Sequence, residues 1–180
     1  MLGAGAYLAP RDHKKAFFTT AGNSSVGQRW ETPTRLLALF YRVIISFDLD
    51  LCSPRKKGPV KARVHFTVED DGLSLAWHGT VFVNPPYGRT IAHWIAKARG
   101  EFERGNAKRV VLLIPARTGT SYWHEHIEDR ATVRFLRGRL KFSDGNQSAL
   151  FPSALVIYGA SLEECEALDR ELRAWRADSA

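Results

Sequence analysis

Hydrophobic positions recur along this chain in two alternating rhythms, one of helical and one of strand period. Leu36, Phe40 and Val43 fall at i, i+4 and i+7, which predicts a helix over about 33–45. Thr32 stands where an N-cap belongs and Pro33 in the first turn. Phe47-Asp48-Leu49-Asp50-Leu51 alternates like a short strand with its two carboxylates on one side, and it ends at Cys52-Ser53-Pro54. Residues 64–67 and 81–83 read as further short strands, and Ile91, Ile95, Ala98 and Phe102 form the stripe of an amphipathic helix. Residues 110–114 are apolar without alternation, the pattern of a central parallel strand covered on both faces. A helix over about 119–129, a strand over 132–136, a turn at 137–142 into another short strand and a strong strand over 154–158 follow. Ser161 and Glu164 match a capping box, opening a last helix with Leu162, Cys165, Leu168, Leu172 and Trp175 as its buried stripe. Strands alternating with helices predict an α/β layered sheet, with any ligand at the carboxyl ends of its strands.

Composition narrows this picture. A length of 180 residues predicts one domain with a substantial core. Residues 1–27, rich in small residues and carrying Arg11, His13, Lys14 and Lys15, read as a flexible basic arm ahead of a domain over 28–180. With 26 Lys and Arg against 19 Asp and Glu, the net charge of +7 points to a polyanionic partner such as nucleic acid. Cys52 and Cys165 are far apart and have no Cys or His at zinc spacing, so neither a disulfide scaffold nor a metal site is expected. Without an apolar run of roughly 18 residues or a signal-peptide pattern, a cytoplasmic protein free of membranes is expected.

The chemistry concentrates where strand 81–83 runs into Asn84-Pro85-Pro86-Tyr87-Gly88. Two prolines fix the backbone and remove two donors, so the turn presents acceptors on a rigid frame. A planar amino group could donate to the Asn84 side-chain oxygen and the Pro85 carbonyl while stacking on Tyr87. The plain alternative is a tight turn after a strand. Its position at the end of a predicted central strand favours the chemical reading.

At these residues the chain resembles the S-adenosylmethionine-dependent amino-methyltransferases, and more closely the small phage and prophage DNA N6-adenine methyltransferases. The resemblance spans about residues 28–158. It is carried by Gln28-Arg29-Trp30-Glu31-Thr32-Pro33, Phe47-Asp48-Leu49-Asp50, Glu69-Asp70-Asp71-Gly72, Asn84-Pro85-Pro86-Tyr87, Leu113-Ile114-Pro115-Ala116-Arg117, Arg137-Gly138-Arg139-Leu140-Lys141-Phe142 and Phe151-Pro152-Ser153. It implies a Rossmann-like single-domain methyltransferase sheet with helices on both faces. It also implies a phage- or prophage-encoded enzyme in a bacterial cell, with Asn84, Pro85, Pro86 and Tyr87 as the catalytic turn. Trp30, Thr32, Pro33, Asp50, Asn84 and an acid at Asp70 or Asp71 would hold S-adenosylmethionine, with Thr32 and the following helix start at its carboxylate. One departure stands out: the Gly-x-Gly that the wider superfamily places after the first strand is absent, and the next glycine is Gly58.

Adenine inside duplex DNA hides its amino group, so the base must be flipped out or taken from a single strand. Phe142 is the candidate second stacking surface, or else a core residue. Lys56 and Lys57, with Arg55, Lys61 and Arg63 nearby, and the group Arg117, Arg137, Arg139 and Lys141, with Arg134, are candidate phosphate contacts; each has solvated surface as its plain alternative. Neither a metal nor a covalent intermediate is implied. Methylation of RNA adenine or protein glutamine, and a silent DNA-binding module that lacks cofactor binding, are the competing functions.

Overall fold

A computed structural model of the chain describes residues 31–142 and 148–175. The basic arm at 1–27 and Trp30 lie outside them. In chain order the elements are α1 (Thr34–Ile44), β1 (Phe47–Asp50), β2 (Ala62–His65), β3 (Gly79–Val83), α2 (Ile91–Glu103), β4 (Ala107–Pro115), α3 (Ser121–His126), β5 (Thr132–Phe135), β6 (Ser153–Tyr158) and α4 (Leu162–Ala174). The strands form one six-stranded sheet in the order β2-β1-β3-β4-β6-β5. Four neighbouring strands, β2, β1, β3 and β4, are parallel, and β6 runs antiparallel to both β4 and β5. The sheet is therefore mixed, and β4 has one parallel and one antiparallel neighbour.

The unbroken apolar run in β4 reflects burial on both faces. Val110, Leu112 and Ile114 pack with Val81 and Val83 of β3, Ala154 and Val156 of β6, and Ile91, Trp94, Ile95 and Ala98 of α2. Val111 and Leu113 face the other way, with Phe82, Leu155 and Ile157, against Leu36, Leu37 and Phe40 of α1 and Leu168 of α4. Alternate residues of each central strand thus feed two cores, and helices cover both faces. On the α1 side the rings of Phe40, Phe47 and Phe82 meet at centroid separations of 5.3 to 6.4 Å.

The capping box forms as the sequence predicts: Ser161 Oγ accepts from the Glu164 N–H at 3.2 Å, and the Glu164 carboxylate accepts from the Ser161 N–H at 2.9 Å. Three expectations change. Leu162 is 86% exposed, because a first-turn side chain points back toward the helix N-terminus and beyond the apolar layer. The turn at 137–142, with Gly138 at φ 84°, leads, among the described residues, to a bridge between Lys141 and Ser148 and to no strand. Pro33, not Thr32, occupies the N-cap of α1, where its carbonyl accepts from the N–H groups of Leu36 and Leu37. The Thr32 hydroxyl is released for another partner.

Truncating the aromatic cluster tests this layering. Phe82→Ala should destabilise the protein by about 3–5 kcal/mol, read from urea unfolding, since a fully buried ring leaves a cavity between two packed layers.

Candidate active site

The chain leaves β1 toward β2 on one side and leaves β3 toward β4 on the other. Where connections diverge in this way, the carboxyl ends of two adjacent parallel strands open a crevice, the usual ligand position in such sheets. Asp50 ends β1 and pairs in register with Phe82 of β3, and Asn84 follows one residue after β3. The fold therefore places Asp50 and the Asn-Pro-Pro-Tyr turn on either side of this crevice.

Asn84 is fixed at both ends of its amide. Its Nδ2 donates to Thr32 Oγ1 at 3.2 Å, and its Oδ1 accepts from the Tyr87 hydroxyl at 2.9 Å. Tyr87 also reaches the Leu113 carbonyl at 3.2 Å, tying the turn to the end of β4. Burial pushes the Tyr87 phenol far above its ordinary pKa, so it stays protonated and donates. Its ring meets Phe151 and Phe142 edge-on at 5.4 and 6.1 Å. Thr32 is itself buried, which makes its hydroxyl a satisfied partner inside the protein.

Asp50 is 2% exposed and is met by His65 Nδ1 at 3.3 Å, with Ser53 Oγ 3.4 Å from the same nitrogen. Because serine and carboxylate both address one ring nitrogen, the trio positions Asp50 and cannot relay a proton from Ser53 through the ring. Gly58 folds back onto it: a Cβ there would stand 2.0 Å from Ser53 Oγ and 3.4 Å from Asp50 Oδ2. The loop after β1 thus brings one glycine backbone against the strand end.

The two adjacent acids separate cleanly. Asp70 closes a capping box with Thr67 and accepts from Lys56 at 2.6 Å. Asp71 adopts a left-handed conformation at φ 50°, and its Oδ1 is buried without a hydrogen-bond partner. A buried carboxylate oxygen without a partner is rare in a folded protein, and it retains its capacity to accept a hydrogen bond.

A family model described as DNA N-6-adenine-methyltransferase (Dam) matches residues 19–155. The chain belongs to this family. It is an enzyme of the class that methylates adenine N6 in DNA, a reaction that requires DNA as substrate and a methyl donor. No curated protein matches it by sequence. No helix among the described residues is long and apolar enough to cross a membrane.

For a Dam-family chain the placement of the basic residues matters, and the structure divides them. β5 runs parallel to β4, so Arg137 and Arg139, past the end of β5, and Arg117, past the end of β4, lie exposed at the same sheet edge as Asn84. Lys57 is exposed in the loop after β1, while Lys56 is engaged by Asp70. Arg55 pairs with Glu31, Arg63 with Asp48, and Arg134 with Asp169 of α4. Arg134 is therefore committed to holding α4 on β5. Phe142 is 3% exposed, so it backs Tyr87 from the core and offers no open face to a base. Sequence reasoning missed Ser53, Gly58 and His65 around Asp50, the Leu113 carbonyl behind Tyr87, and Phe151 beside it. His65, Leu113 and Phe151 act through contacts with segments distant in sequence, while Ser53 and Gly58 belong to the loop that follows Asp50; of the five, Leu113 and Phe151 fall within motif pieces read from the sequence.

Two measurements test this construction. Gly58→Ala should lower stability by roughly 1–3 kcal/mol in urea unfolding, since the added methyl overpacks Ser53. The Lys56 ammonium, then the Thr67 N–H, hold the Asp70 carboxyl down at about 2. A folded pKa below the unfolded value of about 4 gives stability that is full above pH 4 and lost as pH falls through 2. Over that window the wild-type unfolding midpoint should fall more steeply than that of Asp70→Asn; parallel curves would remove this linkage.

Proposed function

We propose that this Dam-family enzyme transfers the methyl group of S-adenosylmethionine to the N6 amino group of an adenine flipped into the Asn-Pro-Pro-Tyr turn. The observation that carries this reading is the doubly fixed amide of Asn84 beside the crevice between β1 and β3. Tyr87 and Thr32 orient the amide so that its oxygen faces an incoming donor, and a carbonyl oxygen has a second lone pair to accept from one.

The residues around the crevice fit the cofactor. Thr32 and the opening turn of α1 suit its carboxylate, Asp50 its ammonium, and the open Oδ1 of Asp71 a donor on its adenine. Asp70, already consumed by Lys56 and Thr67, is set aside for that last role. When bound, S-adenosylmethionine supplies a methyl group on a positively charged sulfur, open to in-line attack by the amino nitrogen.

The chain's part is positioning and electrostatics. Asn84 Oδ1 and the Pro85 carbonyl accept the two amino hydrogens, favouring a pyramidal nitrogen whose lone pair points away from them. Both hydrogen bonds strengthen as the nitrogen becomes positive, which lowers the barrier without a base. The Asn84 carboxamide is too weak a base to take the proton, and Tyr87 already carries its own, so the proton leaves the methylated nitrogen for solvent. Pro86 holds the turn rigid, and Tyr87 gives the base a wall. Arg117, Arg137, Arg139, Lys141 and Lys57 would neutralise phosphates on either side of the flipped base.

Labelled methyl transfer from S-adenosylmethionine to unmethylated DNA, followed by nucleoside mass spectrometry, should yield N6-methyladenine. Asn84→Ala should lower turnover by at least about a hundredfold, with the cofactor dissociation constant changed less than about threefold. Unchanged turnover in this variant would overturn the mechanism, and methylated RNA or protein in place of DNA would overturn the substrate.

A further inference from the structure

Leu150 is 91% exposed, the most exposed of the six large apolar side chains on the described surface. Its neighbours on both sides are anchored. Ala149 is buried, and its N–H donates to the Leu140 carbonyl at 2.7 Å. Phe151 packs its ring against Tyr87 at 5.4 Å and carries the Arg117 guanidinium over its face at 5.6 Å. Pro152 then accepts from the Ala116 N–H at 2.9 Å. The backbone is thus pinned before and after Leu150, and its side chain is held outward next to the wall of the proposed base pocket.

The surroundings identify the occupant by charge. The described residues of the segments that converge at this edge of the sheet, 116–119, 136–142 and 148–153, carry Arg117, Arg137, Arg139 and Lys141 and no carboxylate; Asp144 lies between the last two segments, outside the described residues. An exposed apolar side chain on an edge that also carries these four cations matches a polyanion whose interior is apolar, which is the cross-section of duplex DNA. Extruding a base leaves a gap in the stack, and filling it with an apolar side chain offsets part of the unstacking cost.

We propose that Leu150 is the wedge that enters the duplex and occupies the space vacated by the flipped adenine. This rests on the reading that the chain methylates a flipped adenine in DNA. Leu150 touches neither cofactor nor the reacting atoms, so it is a positioning residue, and its contribution belongs to duplex DNA alone.

The test compares wild type, Leu150→Ala and Leu150→Met for methyl transfer to native unmethylated DNA and to the same DNA heat-denatured. An exposed side chain can be cut back without unfolding the protein, which a thermal melt of each variant verifies. On duplex, kcat/KM of Leu150→Ala should fall about tenfold, while Leu150→Met, which keeps the bulk, stays within about threefold of wild type. Rates on denatured DNA, whatever their level, should agree within about twofold among the three proteins. Equal duplex rates for wild type and Leu150→Ala overturn the wedge, and so does an equal loss on both forms of DNA. A wild-type protein that methylates adenine in neither form overturns the underlying reading and the wedge with it, an outcome distinguished by the wild-type rate itself.

Discussion

The side-chain amide of Asn84 is gripped at both ends, and each grip belongs to a different part of the fold. Thr32, ahead of α1, takes the amide N–H; Tyr87, three residues on, shares its one O–H between the amide oxygen and the Leu113 carbonyl at the end of β4. An amide free to rotate would present a donor as readily as an acceptor. Fixing it converts the residue into an acceptor of defined direction, and a rigid acceptor needs no reorganisation when charge develops on a bound amine. The energy for this comes from packing: the core layer that presses α1 and the phenylalanine cluster onto one face of the sheet also sets the start of α1, and Thr32 just ahead of it, within reach of the turn.

The same logic governs the other side of the crevice. A short loop joins two parallel strands, β1 and β2, without a helix between them, so it must fold back over the strand ends. Gly58 is the point of closest approach, and Ser53 and His65 hold Asp50 where the loop passes. Asp70 and Asp71 show how neighbouring identical side chains acquire separate roles: one satisfies a local turn and an ion pair, and the other is left with a buried open oxygen by a left-handed backbone.

Charge is distributed by the topology in a similar way. A net excess of positive residues predicts attraction to a polyanion, yet several of those cations serve the fold: Arg134 clamps α4 to β5, and Arg55, Lys56 and Arg63 pair with acids. The exposed arginines past β4 and β5 share an edge with Asn84 only because β6 is inserted antiparallel between those strands, which brings the carboxyl ends of β4 and β5 to the same side.

Local patterns in the sequence determined the alternation of helices and strands, the capping box of α4, the doubly covered β4 and the rigid Asn-Pro-Pro-Tyr turn. These features depend on side-chain periodicity, on a few adjacent residues or on proline stereochemistry, all of which operate over short stretches of chain. The family was legible for the same reason, since its signature is a set of short ordered motifs. Tertiary structure decided that Thr32 leaves the helix cap to orient Asn84, that Phe142 supports Tyr87 from the core, that Asp71 and not Asp70 keeps an open oxygen, and which arginines remain exposed at the sheet edge. Apart from the local capping box that helps to occupy Asp70, these depend on which distant segments meet, and burial and pairing between such segments are set by the packing of the whole sheet, not by the residues beside them in sequence.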